Sequence, residues 1–132
     1  MLARPSDLAR QVIGCAIEVH RALGPGLLES IYEKCLAHEF GLQQIGFKRQ
    51  LPVPITYKDL KLEGLYRIDF VVEDTLVLEL KSVEQVLPVH KAQVLSYMRL
   101  TKLQQGILFN FNAAKLVDGI TNLLLTDDGQ LG

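Results

Sequence analysis

The sequence predicts an α/β fold in which a mixed β-sheet is flanked by helices. The prediction depends on the order of the hydrophobic patterns: two helical patterns come first, then three extended segments, a third helix and a buried strand. The 132 residues are enough for one domain with a substantial core and too few for two. We therefore expect a single domain over residues 1–125, followed by a flexible C-terminal tail over residues 126–132.

Two helices open the domain. Ser6 is the predicted N-cap of the first, whose apolar residues recur at helical spacing until Gly24 interrupts the pattern. The second helix is expected from about Leu27 to Phe40, with Gly41 as its stop signal. Its predicted buried stripe comprises Leu28, Ile31, Cys35 and Leu36.

An extended segment follows, from Phe47 to Tyr57. It contains Pro52 and Pro54, which lack the N–H group that a strand ladder uses, so the segment is predicted to be an edge strand. The dipeptide Lys58-Asp59 is the predicted turn after it.

The most informative part of the chain is a predicted hairpin formed by residues 66–72 and 76–81. Large apolar residues occupy even positions in both segments, and residues 73–75 supply a turn. Burying the even positions sets a register in which Asp69 lies opposite Glu79, and Lys81 points the same way. Carboxylates that close repel each other unless a cation lies between them, so the trio predicts a divalent-metal site for cutting a phosphodiester. The alternative is a solvated sheet face with cross-strand ion pairs.

Three further elements complete the predicted domain. A helix begins at Pro88 and continues to about Leu103. Residues 105–111 form a short, nearly all-apolar run, which is typical of a strand buried on both faces. Residues 116–125 are predicted to form a last strand, with a short helix as the alternative.

Two helices carry polar residues that could serve a site. His90, Gln93 and Tyr97 share one face of the third helix, which is either its solvent side or the wall of a cleft against the sheet. The opposite face offers Val89, Ala92 and Leu95 for burial. Glu29, in the second helix, is either a further metal ligand or an exposed residue favoured by the helix dipole. The sequence assigns no role to His20 or His90.

Charge and hydropathy exclude several classes of protein. A net charge of -1 gives no global attraction to nucleic acid, so any such binding must come from a local patch. No stretch approaches eighteen uncharged apolar residues, and we expect a soluble, cytoplasmic protein without membrane contact. Cys15 and Cys35 are expected to be buried free thiols. Two cysteines are too few to form a zinc site.

Three ordered motifs give the chain a resemblance to a known family. Residues 26–32 read Gly-Leu-Leu-Glu-Ser-Ile-Tyr and resemble the signature of the GxxExxY family. Asp69, the tripeptide Glu79-Leu80-Lys81 and residues 90–97 are similar to the remaining motifs of that family, which is placed in the PD-(D/E)XK nuclease superfamily. Gln93 and Tyr97 match the Q-x-x-x-Y element of the RecB-like branch. The resemblance extends from about Val12 to Asn112.

The resemblance implies a restriction-endonuclease-like core and a Mg²⁺-dependent or Mn²⁺-dependent nuclease that hydrolyses phosphodiester bonds of DNA. The implied metal ligands are Glu29, Asp69, Glu79 and the Leu80 carbonyl, and the implied catalytic residues are Lys81, Gln93 and Tyr97. The alternative is a non-catalytic module that binds nucleic acid or protein on a nuclease-like scaffold. Because basic residues are few, a homodimer or a protein partner that supplies DNA affinity is also expected.

Overall fold

A computed structural model describes residues 6–126. Within this range, five strands form one mixed sheet and three α-helices pack against it. This architecture confirms the predicted α/β class and is consistent with a restriction-endonuclease-like core. Apart from Thr126, the predicted C-terminal tail lies outside the described residues. Among the described helices, none is long and apolar enough to cross a membrane.

The first helix, α1 (Asp7–Leu23), begins and ends as predicted. The Ser6 hydroxyl accepts a hydrogen bond from the Ala9 N–H at 3.0 Å, which caps the helix N-terminus. The helix stops at Gly24, whose φ of 71° lies in the region that favours glycine. Cys15, on the buried face of this helix, is a free thiol as expected. Its burial raises the pKa of the thiol to about 11.

The second helix, α2, runs from Glu29 to Leu42, and its predicted buried stripe is confirmed at Leu36, is half-buried at Cys35 and was wrong at Leu28 and Ile31. Leu28 precedes the helix and is 73% exposed, and Ile31 is 38% exposed. The stripe that packs against the sheet is instead Tyr32, Leu36 and Phe40. These residues are spaced four apart and share one face of the helix, and the rings of Tyr32 and Phe40 contact those of Phe111 and Phe70.

The strands are β1 (Phe47–Pro52), β2 (Ile55–Tyr57), β3 (Leu60–Leu62), β4 (Arg67–Val72), β5 (Leu76–Lys81), β6 (Gln105–Asn110) and β7 (Ile120–Leu124). Their order in the main sheet is β1-β4-β5-β6-β7, so β1 is an edge strand, as its prolines predicted. The predicted continuous segment is, however, divided. Its second half, β2, pairs with β3 in a separate hairpin across the predicted turn.

The remaining elements connect the centre of the sheet to its far edge. Helix α3 (Pro88–Thr101) links β5 to β6, and these two strands pair in parallel, as a helical crossover permits. The region predicted as a last strand or a short helix contains both. A 3₁₀ turn at Leu116–Gly119 leads directly into β7.

The β4–β5 hairpin has the predicted register. Phe70 pairs with Leu78, and Val72 pairs with Leu76. Side chains at these even positions join the core beneath α1 and α2, whereas Val71 and Val77 join a second core with α3. The sheet therefore carries helices on both faces, and the polar groups at the open end of the hairpin lie at the border of the α3 side rather than on a bare solvated face.

Gly106 brings α3 close to the sheet. A Cβ atom at this position would lie 2.6 Å from the Met98 Sδ atom and 3.0 Å from the Val94 Cγ1 atom. Both neighbours belong to α3, and both are buried. The absence of a side chain at Gly106 thus sets the distance between strand β6 and the helix that bears Gln93 and Tyr97.

Two glycine substitutions should change stability in opposite directions. Gly106→Ala should lower the free energy of unfolding by about 1–3 kcal/mol, because the added methyl overlaps buried atoms of α3. Gly14→Ala should raise it by about 0.5–1 kcal/mol, because Gly14 lies inside α1 and its Cβ would meet nothing within 4 Å. Urea denaturation of both variants measures this. Equal effects would contradict the described packing of α3.

Candidate active site

The open end of the β4–β5 hairpin brings Asp69 and Glu79 together. Phe70 and Leu78 are the last paired residues of the ladder. One step further, Asp69 Oδ2 accepts a hydrogen bond from the Leu80 N–H at 2.8 Å, in place of a backbone acceptor on β4. The carboxyl group of Glu79 lies close enough to that of Asp69 for a hydrogen bond between them to raise its pKa. The two carboxyl groups are therefore direct neighbours at the point where the strands separate.

Glu79 is held in an environment that disfavours its charge. The residue is only 4% exposed, and its burial is the main reason that its pKa rises to about 9. The hydrogen bond and the negative charge of Asp69 raise the pKa further, as does the charge of Glu29, whereas Lys81 lowers it. Without a bound cation, Glu79 therefore keeps its proton at neutral pH.

The separation of the strands also leaves Leu80 without a paired residue on β4. The N–H and C=O of a strand residue point toward the same neighbouring strand. Because the Leu80 N–H is directed at Asp69, the Leu80 carbonyl is directed at the same gap. A carbonyl oxygen and two carboxyl groups thus converge on one region.

Lys81 and Glu29 border this region from opposite directions. Lys81 ends β5 and is half-buried, and its charge acts on Glu79. Glu29 Oε1 accepts a hydrogen bond from the N–H of Ser82 at 3.3 Å. Glu29 is solvent-exposed, as its first-turn position on α2 allows, yet it lies beside the residue that follows Lys81. The structure therefore brings Glu29 to the edge of the cluster rather than leaving it remote from the sheet.

The loop before Glu29 is fixed by contacts that sequence analysis missed. The Tyr32 hydroxyl donates to the Gly24 carbonyl at 2.6 Å and accepts from the Leu27 N–H at 3.1 Å. Its ring stacks on Phe111 with a centroid distance of 4.5 Å. Ser82 Oγ donates to the Leu27 carbonyl at 2.8 Å. Tyr32 is the last residue of the GxxExxY motif, but its position in that motif does not predict this structural role.

Helix α3 places Gln93 and Tyr97 toward the sheet. Tyr97 is buried and Gln93 is half-buried, whereas Val89 and Ala92, predicted to face the core, are exposed. The polar stripe is thus the wall of a cleft, and the prediction that Val89 and Ala92 are buried was wrong. Burial raises the pKa of Tyr97 to about 12, and the negative charges of Glu79 and Asp69 add to this shift. These charges therefore act directly on the Tyr97 hydroxyl.

The histidines have structural contacts. His90 Nδ1 accepts a hydrogen bond from the Leu87 N–H at 2.9 Å, which satisfies a backbone donor at the start of α3. His20 is buried, and its Nε2 atom lies 2.8 Å from the Ala113 carbonyl oxygen, to which it can donate. These hydrogen bonds give each histidine a structural role, so neither needs a catalytic one.

A second group of residues that the sequence did not reveal holds Asp69 from the side of β1. Gln50 lies across from Asp69 and has a φ of 51°, an uncommon conformation for a strand residue other than glycine. Its Nε2 group donates to Asp69 Oδ1 at 3.3 Å and also to Glu33. Glu33 is held in turn by Arg49 at 2.8 Å. The only signal in the sequence is that Glu33 lies four residues after Glu29, on the same face of α2.

Asn110 fixes the loop that follows Lys81. Its Oδ1 atom accepts from the Val83 N–H at 3.1 Å and from the Asn112 N–H at 3.2 Å, and its Nδ2 group donates to the Val83 carbonyl at 2.9 Å. The side chain is buried, and these contacts use both of its polar ends. Asn110 thereby positions the loop whose Ser82 N–H contacts Glu29.

The donor set at the open end of the hairpin fits a hard divalent cation. Among residues 6–126, no group of three His, Cys, Asp or Glu side chains is arranged to hold a metal ion by itself. Two carboxyl groups and a backbone carbonyl are nevertheless what Mg²⁺ commonly uses, because this ion keeps several of its waters. Burial beside Asp69 disfavours the negative charge of Glu79, and a cation that replaces the proton of Glu79 would relieve this penalty.

The family comparison agrees with this geometry. A model of the PD-(D/E)XK nuclease superfamily matches residues 6–123, which include every element that borders the cluster. The chain belongs to the PD-(D/E)XK nuclease superfamily. No curated protein and no solved structure matches the chain.

Membership gives the carboxyl cluster a chemical context. PD-(D/E)XK nucleases generally use divalent metals and act on nucleic acid, which is the chemistry that the oxygen donors of Asp69, Glu79 and Leu80 favour. The chain thus has a nuclease-like scaffold with its acidic pair at the open end of a hairpin. The narrower assignments to the GxxExxY family and the RecB-like branch stay predictions.

Stability in the absence of metal should fall as pH rises. The pKa of Glu79 is near 4.5 in the unfolded chain and about 9 in the folded protein, so the folded state binds the proton more tightly. The contribution of this proton to the free energy of unfolding is complete below pH 4.5 and is lost as the pH approaches 9. In EDTA, Glu79→Gln should remove this decline, because glutamine stays neutral and retains a donor toward Asp69.

Chemical denaturation at a series of pH values measures the effect. Glu63→Gln serves as the control, because Glu63 is solvent-exposed and lies away from the hairpin cluster. This variant should retain the slope of the wild-type protein. A wild-type slope equal to that of Glu79→Gln would contradict a buried Glu79 that keeps its proton at neutral pH.

Proposed function

We propose that the protein is a divalent-metal-dependent nuclease that hydrolyses phosphodiester bonds of DNA. The observation that carries the proposal is the nearly complete burial of Glu79 beside Asp69. A buried carboxyl pair lowers stability near neutral pH and adds nothing to packing that an apolar residue would not provide. Such an arrangement is expected where function requires it, and membership of a nuclease superfamily supplies that function.

The residues fit distinct tasks at the reacting phosphate. Asp69, Glu79 and the Leu80 carbonyl would hold Mg²⁺ or Mn²⁺, and Glu29 would contact the ion through water from the edge of the site. When bound, the ion polarises the scissile phosphate and lowers the pKa of an attacking water. Glu79 must release its proton for the ion to bind, so affinity should increase with pH.

Lys81, Gln93 and Tyr97 act on the substrate itself. The Lys81 amine lies next to the carboxyl pair and is suited to orient a water and to stabilise charge that develops on the phosphate. The Gln93 amide can donate to a phosphate oxygen from the wall of the cleft. The Tyr97 hydroxyl keeps its proton at neutral pH, because its pKa is about 12, and it can therefore act as a hydrogen-bond donor.

A non-catalytic module is the second candidate function. The observation in its favour is the net charge of -1, which provides little electrostatic affinity for a polyanion. A homodimer or a protein partner could supply that affinity in either case. The retained charges at Glu29, Asp69, Glu79 and Lys81 favour the enzyme, because a pure scaffold has no reason to keep acidic residues together.

The same motifs support a narrower assignment. We infer from Gly26, Glu29 and Tyr32 that the chain is a GxxExxY-type member of the superfamily, and from Gln93 and Tyr97 that it lies on the RecB-like branch. A cytoplasmic location is part of the same proposal.

Two variants test the proposed roles through metal response and cleavage. Mg²⁺ or Mn²⁺ at about 100 times its dissociation constant should stabilise the wild-type fold by about 2.7 kcal/mol. Asp69→Asn should respond less to metal and lose cleavage, because it removes a charged oxygen ligand. Lys81→Ala should keep the metal response and lose on the order of 10²-fold in cleavage rate.

Thermal unfolding and cleavage of labelled single-stranded and duplex DNA, with Mg²⁺, Mn²⁺ or EDTA, provide the measurements. Lys61→Ala is the matched control, since Lys61 is exposed on β3, outside the hairpin cluster. It should behave as wild type in both assays. If the wild-type protein shows neither a metal-dependent shift nor cleavage, the non-catalytic module is the correct function.

A further inference from the structure

A groove of about 440 Å³ opens beside the candidate active site, within the range of about 300–1,000 Å³ typical of ligand sites. Helix α3 forms one wall, and the start of β2 and the residue that precedes β4 form the other. Its principal lining residues are Ile55, Tyr66, Val89, Gln93, Tyr97 and Leu100.

The groove leaves large apolar side chains in contact with solvent. Val89 is 64% exposed, and Tyr66 and Leu100 are each 45% exposed. Exposed apolar residues that converge on one concave surface commonly mark a binding site. The side of α3 that was predicted to be buried in the core is therefore a candidate binding surface.

The groove approaches the carboxyl cluster. Gln93 and Tyr97 line the groove, and Tyr97 packs in the same core as Ile68, the residue before Asp69. The rings of Tyr66 and Tyr97 contact each other in a T-shaped arrangement, with a centroid distance of 6.3 Å. A molecule that occupies the groove would therefore reach the site of phosphate hydrolysis at its Tyr97 end.

The side chains that line the groove indicate which kind of ligand it binds. The six principal lining residues include no charged side chain, so the groove is not suited to bind phosphates directly. It offers an aromatic ring, aliphatic walls and an amide, which match the flat face and polar edge of a nucleobase. A duplex keeps its bases stacked inside, whereas an unpaired nucleotide presents the flat face and the polar edge of its base to a binding protein.

We propose that this groove binds the base of an unpaired nucleotide next to the scissile phosphate, with Tyr66 as the stacking residue. The proposal rests on the proposed nuclease function and names the substrate class of the same site: single-stranded nucleic acid or an unpaired end. Base stacking then supplies affinity that the near-neutral charge of the chain does not.

Binding without cleavage tests the groove separately from the chemistry. Fluorescently labelled single-stranded DNA is titrated with the full chain in Ca²⁺, and an otherwise identical strand with consecutive abasic sites is compared. Wild-type protein should prefer the intact strand by about ten-fold. Tyr66→Ala should lose this preference, whereas Tyr66→Phe should retain it, because phenylalanine preserves the ring.

Tyr57→Ala is the matched control, because Tyr57 is a tyrosine outside the groove lining that is 63% exposed, more than Tyr66. It should bind as wild type. Thermal unfolding of each variant verifies the fold, and a Tyr66→Ala protein that is unfolded is replaced in the assay by Leu100→Gln, which makes the groove polar and should also lose the preference.

Three results would overturn the groove proposal. One is equal binding of intact and abasic strands by the wild-type protein. Another is full retention of the preference in Tyr66→Ala. The third is concentration-dependent self-association that Tyr66→Ala abolishes while DNA binding is unchanged, since this would identify the groove as an interface between two copies. A Tyr66-dependent preference without cleavage in Mg²⁺ or Mn²⁺ would support the groove and refute the nuclease function alone.

Discussion

The contact between the buried Glu79 carboxyl and Asp69 is the interaction on which the rest of the site depends. It forms because the β4–β5 ladder ends at Phe70 and Leu78, which leaves the next two side chains facing each other. At this position the carboxyl group of Asp69 replaces the acceptor that β4 would otherwise supply to Leu80. The pair of Asp69 and Glu79 is electrostatically unfavourable, and one of its members is also a hydrogen-bond acceptor for a strand of the main sheet.

The surrounding elements hold this pair from several sides. Gln50 fixes Asp69 from the edge strand, and the loop secured by Asn110 brings Glu29 toward the end of β5. Helix α3 closes the remaining side with Tyr97. None of these contacts neutralises the acidic pair, which is why a divalent cation suits the arrangement and why a purely structural explanation for it is weak. The same helix borders the apolar groove, so binding of an ion and of a substrate base would share one rigid element.

The sequence predicted the parts of this arrangement that short-range patterns determine. Alternation of apolar residues specified the register of the hairpin, because a slip by one residue would expose Phe70 and Leu78. The pattern failed for α3, whose apolar residues occur on more than one side, so periodicity could not decide between Val89 and Tyr97 as the buried residue. The link between Glu33, Gln50 and Asp69 was also beyond prediction, since it joins three elements and requires a positive φ at Gln50.

The central claim is that a divalent cation binds between the carboxyl groups of Asp69 and Glu79. Anomalous diffraction from crystals grown with Mn²⁺ tests it most directly, because the ion is located without reference to activity. The account predicts an anomalous peak within about 2.5 Å of oxygens from Asp69, Glu79 and the Leu80 carbonyl. A crystal that shows no peak there at saturating Mn²⁺, with the two carboxyl groups still direct neighbours, would contradict it.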